Sequence, residues 1–385
     1  MTHEIAGNVR LYPARVCSVE CHTRNVQSAA STIGVSPVQL AWKHIQTHPR
    51  EAWKIAGMTA RNHFDRVIAR LKLDGLVGYG ESAPADIFGE SPGTVERFLR
   101  RLKRAGLPKD PLALAEVEDR LRRAGPGNSS AKAAVEMAVH DLYGPVLKRP
   151  LYEILGLDPA KAPATSFSIG IDDLPVMRRK VREARRYPIL KIKVGTPYDE
   201  EIIRMIRREL PRVTLRVDAN AGWTREEAAR KMNVMDRLGV EFVEQPLRRE
   251  DLAGLAWLKT RTRLPVILDE SVMTPSDLPG MSGLCAGINL KLMKCGGLRE
   301  ALRFIHTARA CGLKIMMGCM IETSLAITAG SHLAALLDYA DMDGALLLSD
   351  DPFRGANWTG GRLKMGKEAG LGVTPVRADV RDPWH

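Results

Sequence analysis

From about residue 160 to residue 351 the chain alternates short apolar runs with helical stretches: TSFSIGI, ILKIKVG, VTLRVDAN, VEFVEQPL, PVILDES, GINLKLM, KIMMGCMI and GALLLS. Eight such strands separated by helices predict a parallel sheet closed into a barrel, because parallel neighbours need long crossover connections. Active sites of these barrels lie at the C-terminal face, so chemistry is expected where strands end.

The strand ends carry ionisable groups. In YPILKIKVG, Lys191 and Lys193 are two apart, so both point to the same side of a strand that otherwise reads as buried. Asp218, Glu244 and Asp269, the last followed by Glu270, close three successive strands, and Lys291 closes the next. One such carboxylate would read as the cap of the following helix; three in succession, bracketed by lysines, do not. Converging carboxylates without His or Cys suit a hard divalent cation, Mg²⁺ before Ca²⁺ or Zn²⁺. Such a cation would polarise a substrate carboxylate while lysines move the proton of the neighbouring carbon. A lysine beside it is expected to have a lowered pKa. Lys193 and Lys291 come from strands across the barrel, which permits inversion of a stereocentre.

Upstream, VQLAWKHI, HFDRVIARLKL and GLVGYGESAP predict strands meeting at turns such as Asp74-Gly75. TVERFLRRLKRA and SAKAAVEMAVHDLYG predict helices, the second capped by Ser129 and Ser130. Residues 1–37 have no periodicity and read as a disordered extension; Cys17, Cys21 and His22 lack a second ligand pair and read as part of it. The remaining cysteines, Cys285, Cys295, Cys311 and Cys319, have no paired spacing, so free thiols are expected. No apolar run approaches the roughly 20 residues of a membrane span, and no secretory signal is evident, so a cytoplasmic protein without membrane partners is expected. The net charge of +12 raises nucleic-acid binding as a remote alternative. The basic runs RFLRRLKRAG and MRRKVREARR, however, alternate arginines with apolar residues as solvated helix faces do, and no nucleic-acid partner is expected.

From about Leu40 onward the chain resembles the enolase superfamily in its muconate-lactonizing-enzyme-like branch, and within it the dipeptide epimerases. LKIKVG is similar to the family's Lys-x-Lys motif, RVDANAGW, FVEQPL and LDES to its three metal strands, and NLKLMKCGG to its sixth-strand lysine motif. The resemblance implies an α/β fold, a modified (β/α)8-type barrel, (β/α)7β, under an α+β capping domain. The expected boundaries are 38–155 for the cap, completed by 352–385, and 156–351 for the barrel. It implies one Mg²⁺ per subunit on Asp218, Glu244 and Asp269, Lys193 and Lys291 as the acid/base pair, and Lys191 on the substrate carboxylate. Lys294 is expected to face away from Lys291 and serve structure. The relatives muconate cycloisomerase and o-succinylbenzoate synthase share these residues, but YADMDGALLLSDD resembles the Asp-x-Asp motif that binds a dipeptide's ammonium, through Asp341 and Asp343 before the last strand. A pair of carboxylates rewards a cation, which neither alternative substrate offers. Asp350 and Asp351 read as a turn. Ser168, Cys319 and Met320 occupy substrate-contacting places, and Glu322 is expected to orient neighbours. Where Ala-Glu specificity places an arginine this chain has Met58, with Arg61 nearby, so the preferred dipeptide side chain is open. The oligomeric state, a homo-oligomer included, is open too.

Overall fold

The computed structural model describes residues 37–108, 110, 113–381 and 384; the expected N-terminal extension up to residue 36, with Cys17, Cys21 and His22, lies outside the described residues. Strands β1 (Gln39–Thr47), β2 (Phe64–Leu73) and β3 (Leu76–Ser82) form an antiparallel sheet in that order. Its β2–β3 turn is the anticipated Asp74-Gly75, with φ of 46° and 84°, the left-handed pair that a tight hairpin requires. Helix Pro92–Ala105 begins with a capping box between Ser91 and Thr94 and buries Val95, Phe98, Leu99 and Leu102. Helix Ser129–Leu147 lies directly on the sheet. A Cβ at Gly78 or Gly80 would collide with the carbonyls of Ala138 and Ala134, so glycine is what permits that approach.

The cap of this second helix differs from expectation. Its N-cap is Asn128, whose side chain makes no capping bond, while Ser129 and Ser130 already lie inside the helix and donate to Glu90. With φ of 49° Asn128 takes the turn itself, and the serines are left to tie the helix to the preceding loop.

The barrel strands are β4 (Phe167–Ile169), β5 (Ile189–Lys193), β6 (Thr214–Asp218), β7 (Val240–Glu244), β8 (Val266–Leu268), β9 (Gly287–Leu290), β10 (Lys314–Met317) and β11 (Tyr339–Ala340). All neighbours are parallel and follow chain order. A parallel bridge between Thr165 and Ala340 joins the first strand's approach to the last strand and closes the ring. The last strand is not GALLLS. It is the two-residue segment Tyr339–Ala340, and Gly344–Leu347 is a short helical turn. A continuous apolar run cannot be told from a buried helical turn by periodicity. Asp341 and Asp343 therefore follow the last strand, as Asp269 and Lys291 follow theirs.

One apolar core fills the barrel and its helices, and a second lies between the small sheet and its own helices. The two units meet over the strand ends: Ala83 N–H donates to Met293 Sδ, and Arg66 of β2 donates to the carbonyls of Met320 and Ile321 after β10. The C-terminal segment returns to the small sheet, where Phe353 packs edge-on against Tyr79 and Arg377 donates to the Gln46 carbonyl. Among the described residues no helix is long and apolar enough to cross a membrane, and Cys285, Cys295, Cys311 and Cys319 are free thiols.

Candidate active site

Strand parity and register bring the ionisable groups together. In the β5–β6 ladder Lys193 stands opposite Asp218, and in the β6–β7 ladder Asp218 stands opposite Glu244. Lys193 Nζ donates to Asp218 Oδ2 at 2.5 Å. Lys191, buried on the same side of β5, has its Nζ 2.6 Å from Glu244 Oε2, 2.6 Å from Asp341 Oδ2 and 3.2 Å from Asp218 Oδ2. Asp269 follows β8 and takes Lys291 Nζ on Oδ2 at 2.7 Å. A cavity of about 220 Å³ opens onto Lys191, Lys193, Lys291, Asp269, Asp341 and Asp343.

The expected pair Asp341 and Asp343 is buried in this cavity. Asp341 accepts from Ser166 Oγ at 2.5 Å as well as from Lys191, and Asp343 accepts from Ser168 N at 2.6 Å and Ser168 Oγ at 3.3 Å. Ser168 thus holds Asp343 and lines the cavity beside it. Cys319, Met320 and Met58 also line it, and Glu322 Oε1 accepts from Met320 N at 3.0 Å, as an orienting residue would. Asp350 and Asp351 are elsewhere: Asp350 pairs with His48 and Arg377, and Asp351 accepts from Ser324.

Lys294 corrects an expectation. It does not face away from Lys291; its Nζ donates to Asp269 Oδ1 at 2.6 Å, so both lysines hold one carboxylate. The reason is local. The chain turns helical over Leu292–Cys295, where three residues bring a side chain back to the same face, whereas strand parity would oppose it. Asn289 was not anticipated either: two residues before Lys291 on β9, it donates to Glu244 Oε1 at 2.7 Å, and its parity with Lys291 was the available signal.

The site's electrostatics are those of crowded buried charge. Burial raises Glu244 to about 8, and the neighbouring Asp218 adds to it. Burial likewise brings Glu270 to about 7, with Asp269 next in weight, and Asp343 to about 7, with Asp341 next. Burial works against the Asp218 carboxylate too, but Lys193 and Lys191 outweigh it and hold this group low. Burial pulls the Lys291 ammonium down, but Asp269 and Glu244 outweigh burial and leave it above the ordinary lysine value; the lowered value expected of a lysine beside a cation concerns the loaded site.

Among the described residues no three His, Cys, Asp or Glu side chains stand ready around one point to hold a metal ion; lysine ammoniums lie between the carboxylates. The donor set nevertheless fits a hard cation. Asp218, Glu244 and Asp269 offer only oxygens and are buried, and Glu244 Oε2 makes no hydrogen bond despite its ion-pair distance from Lys191. That buried oxygen without a hydrogen bond, among oxygen-only side chains, is one a hard cation would satisfy.

Residues 39–156 match the model of the mandelate racemase/muconate lactonizing enzyme N-terminal domain, and residues 176–379 match the enolase C-terminal domain-like family. The chain is 37% identical over 346 residues to the L-Ala-D/L-Glu epimerase of Bacteroides thetaiotaomicron, spanning 88% of this chain and 87% of that one. Its structure resembles a substrate-liganded complex of the L-Ala-D/L-Glu epimerase from Bacillus subtilis, with TM-score 0.83 and 33% identity over 89% of this chain and 99% of that chain. It also resembles the dipeptide epimerase from Enterococcus faecalis complexed with Mg and L-Leu-L-Tyr, with TM-score 0.83 and 31% identity over 88% of this chain and 100% of that chain. By its two matched domains and these relatives, the chain belongs to the enolase superfamily, among the dipeptide epimerases of its muconate-lactonizing-enzyme-like branch.

Proposed function

We propose that this isomerase inverts the α-carbon of the C-terminal residue of a dipeptide by a two-base proton transfer between Lys193 and Lys291. The observation that carries the reading is the placement of these lysines. They end β5 and follow β9, four strands apart in a ring of eight, and both open into the cavity that contains the Asp341–Asp343 pair. A substrate held there presents one face to each lysine, so the lysine in its neutral amine form takes the α-proton and becomes an ammonium, while the other, starting as an ammonium, returns a proton to the opposite face and is left neutral.

Asp218, Glu244 and Asp269 are assigned to one Mg²⁺ per subunit, consistent with the Mg complex of the Enterococcus relative. When bound, Mg²⁺ supplies positive charge to the substrate carboxylate as negative charge builds up on deprotonation. Lys191, on the same face of β5 as Lys193, is assigned to that carboxylate. Asp341 and Asp343 are assigned to the N-terminal ammonium, with Ser168 fixing Asp343 through its backbone N–H. Free cysteines suit the reducing cytoplasm, where we place the enzyme.

The test is a dipeptide library incubated with enzyme and Mg²⁺ in deuterated water and read by mass spectrometry. Deuterium at one α-carbon of a subset of dipeptides, lost on exhaustive chelation, is the expected result. Full exchange after chelation contradicts the metal assignment, and no exchange with any dipeptide contradicts the substrate class.

A further inference from the structure

The cavity that holds the lysine pair continues into the small α+β unit, and its wall there is of a different kind. Ile55, Met58, Phe64 and Ile87 line it, beside Met320 and Ile321 of the segment after β10. Charged groups reach this wall too, but each already has a partner. Arg61 lies 3.0 Å from Asp86, and Asp65 is bonded to His44 at 2.9 Å and Gln46 at 3.2 Å. Arg66 pairs with Glu81 and donates to the Met320 and Ile321 carbonyls, and Glu90 accepts from Ser129 and Ser130.

We infer that the enzyme selects dipeptides whose C-terminal residue carries an uncharged apolar side chain, and that the Arg61–Asp86 pair keeps this wall neutral. The inference rests on the epimerase reading. In that reading the α-proton goes to the lysines, the carboxylate to the metal ligands and the amide toward the residue anchored at Asp341 and Asp343. The fourth substituent of the carbon, its side chain, is left the end of the cavity formed by the small unit. An apolar group gains from leaving water there, whereas a carboxylate or ammonium loses hydration and finds no free counter-ion. It could gain one only by breaking an existing pair.

The test measures kcat/KM for L-Ala-L-Leu, L-Ala-L-Met, L-Ala-L-Glu and L-Ala-L-Lys with the Mg²⁺-loaded protein and with two variants. In the parent enzyme the Leu and Met substrates should exceed Glu and Lys by at least about tenfold, the scale on which a site without a partner rejects a charge. Asp86→Ala frees Arg61 and should raise Glu relative to Leu severalfold; Arg61→Ala frees Asp86 and should raise Lys relative to Leu. Thermal melts confirm that both variants fold. Glu or Lys turned over as well as Leu by the parent enzyme, or a Glu-to-Leu ratio unmoved by Asp86→Ala, overturns the inference and leaves the epimerase reading intact. No turnover of any dipeptide overturns that reading and this inference with it.

Discussion

On the barrel side of the cavity Asp218, Glu244, Asp269 and Asp341 crowd around Lys191, Lys193 and Lys291, each ammonium touching at least one carboxylate. On the other side Arg61, Asp65, Arg66 and Glu90 are bound within the protein, and apolar side chains face the space between. The barrel wall is thus densely charged, and the opposite wall is apolar between charged groups that pair within the protein. The first arrangement suits chemistry on ionic groups and the second suits selection by shape and hydrophobicity, so lesions on the two walls should differ in kind.

The largest effect is expected on the barrel wall. Asp218→Asn should lower kcat by about a thousandfold or more, since about 4 kcal/mol of charge stabilisation depends on the metal ligands. Thermal melts must confirm that the variant folds, because Lys191 and Lys193 lose a buried carboxylate partner. Turnover within tenfold of the parent enzyme would remove Asp218 from the metal site.

A smaller loss should follow Asp343→Asn. The ammonium of the dipeptide loses one charged partner in a buried site, a deficit of about 2–3 kcal/mol, or roughly a hundredfold in kcat/KM. Steady-state kinetics with the best dipeptide decide it, and unchanged kcat/KM would refute the ammonium assignment.

Met58→Ala, on the opposite wall, should alter kcat/KM for apolar dipeptides by less than about tenfold, because only a partly exposed apolar contact is removed. A loss as large as that of Asp218→Asn would erase the distinction between the walls.

The fold and most of the site were legible because strand parity and strand order are written in the chain. Lys191 and Lys193 share a face for the same reason that Asp218 and Glu244 stand opposite in register. What misled was local geometry after a strand. GALLLS has the composition of a strand, but at Gly344 the backbone runs so close that a Cβ would lie 2.8 Å from Glu322 N and 3.0 Å from Cys319 Sγ, and the chain turns. Lys294 joined Asp269 because a helical turn replaced strand alternation three residues after Lys291.

A buried ionisable group outside the cavity serves as a control. His332 accepts from Tyr152 N through Nδ1 at 3.1 Å and bonds the Leu371 carbonyl through Nε2 at 3.1 Å, and burial lowers its pKa to about 4. The neutral ring is the folded form, so its contribution to stability is complete above pH 6.5 and is lost as pH falls from there toward 4. The loss amounts to about 3 kcal/mol from the shift of the folded value below the ordinary one. Compared with His332→Gln, the parent enzyme should lose that much more stability between pH 7 and 4 in denaturant titrations, with activity at pH 8 unaffected by the titration. An equal acid dependence in both proteins would contradict the assignment.

The most direct test of the central claim is deuterium uptake at the α-carbon, measured separately for the two C-terminal epimers of one dipeptide in the Lys193→Ala variant. With opposed bases this variant should not epimerise in either direction, yet should still exchange the α-proton of the one epimer that presents it to Lys291, with Lys291→Ala showing the mirror pattern. Equal exchange of both epimers by Lys193→Ala would mean that a single base works from one face, and the two-lysine mechanism would be wrong.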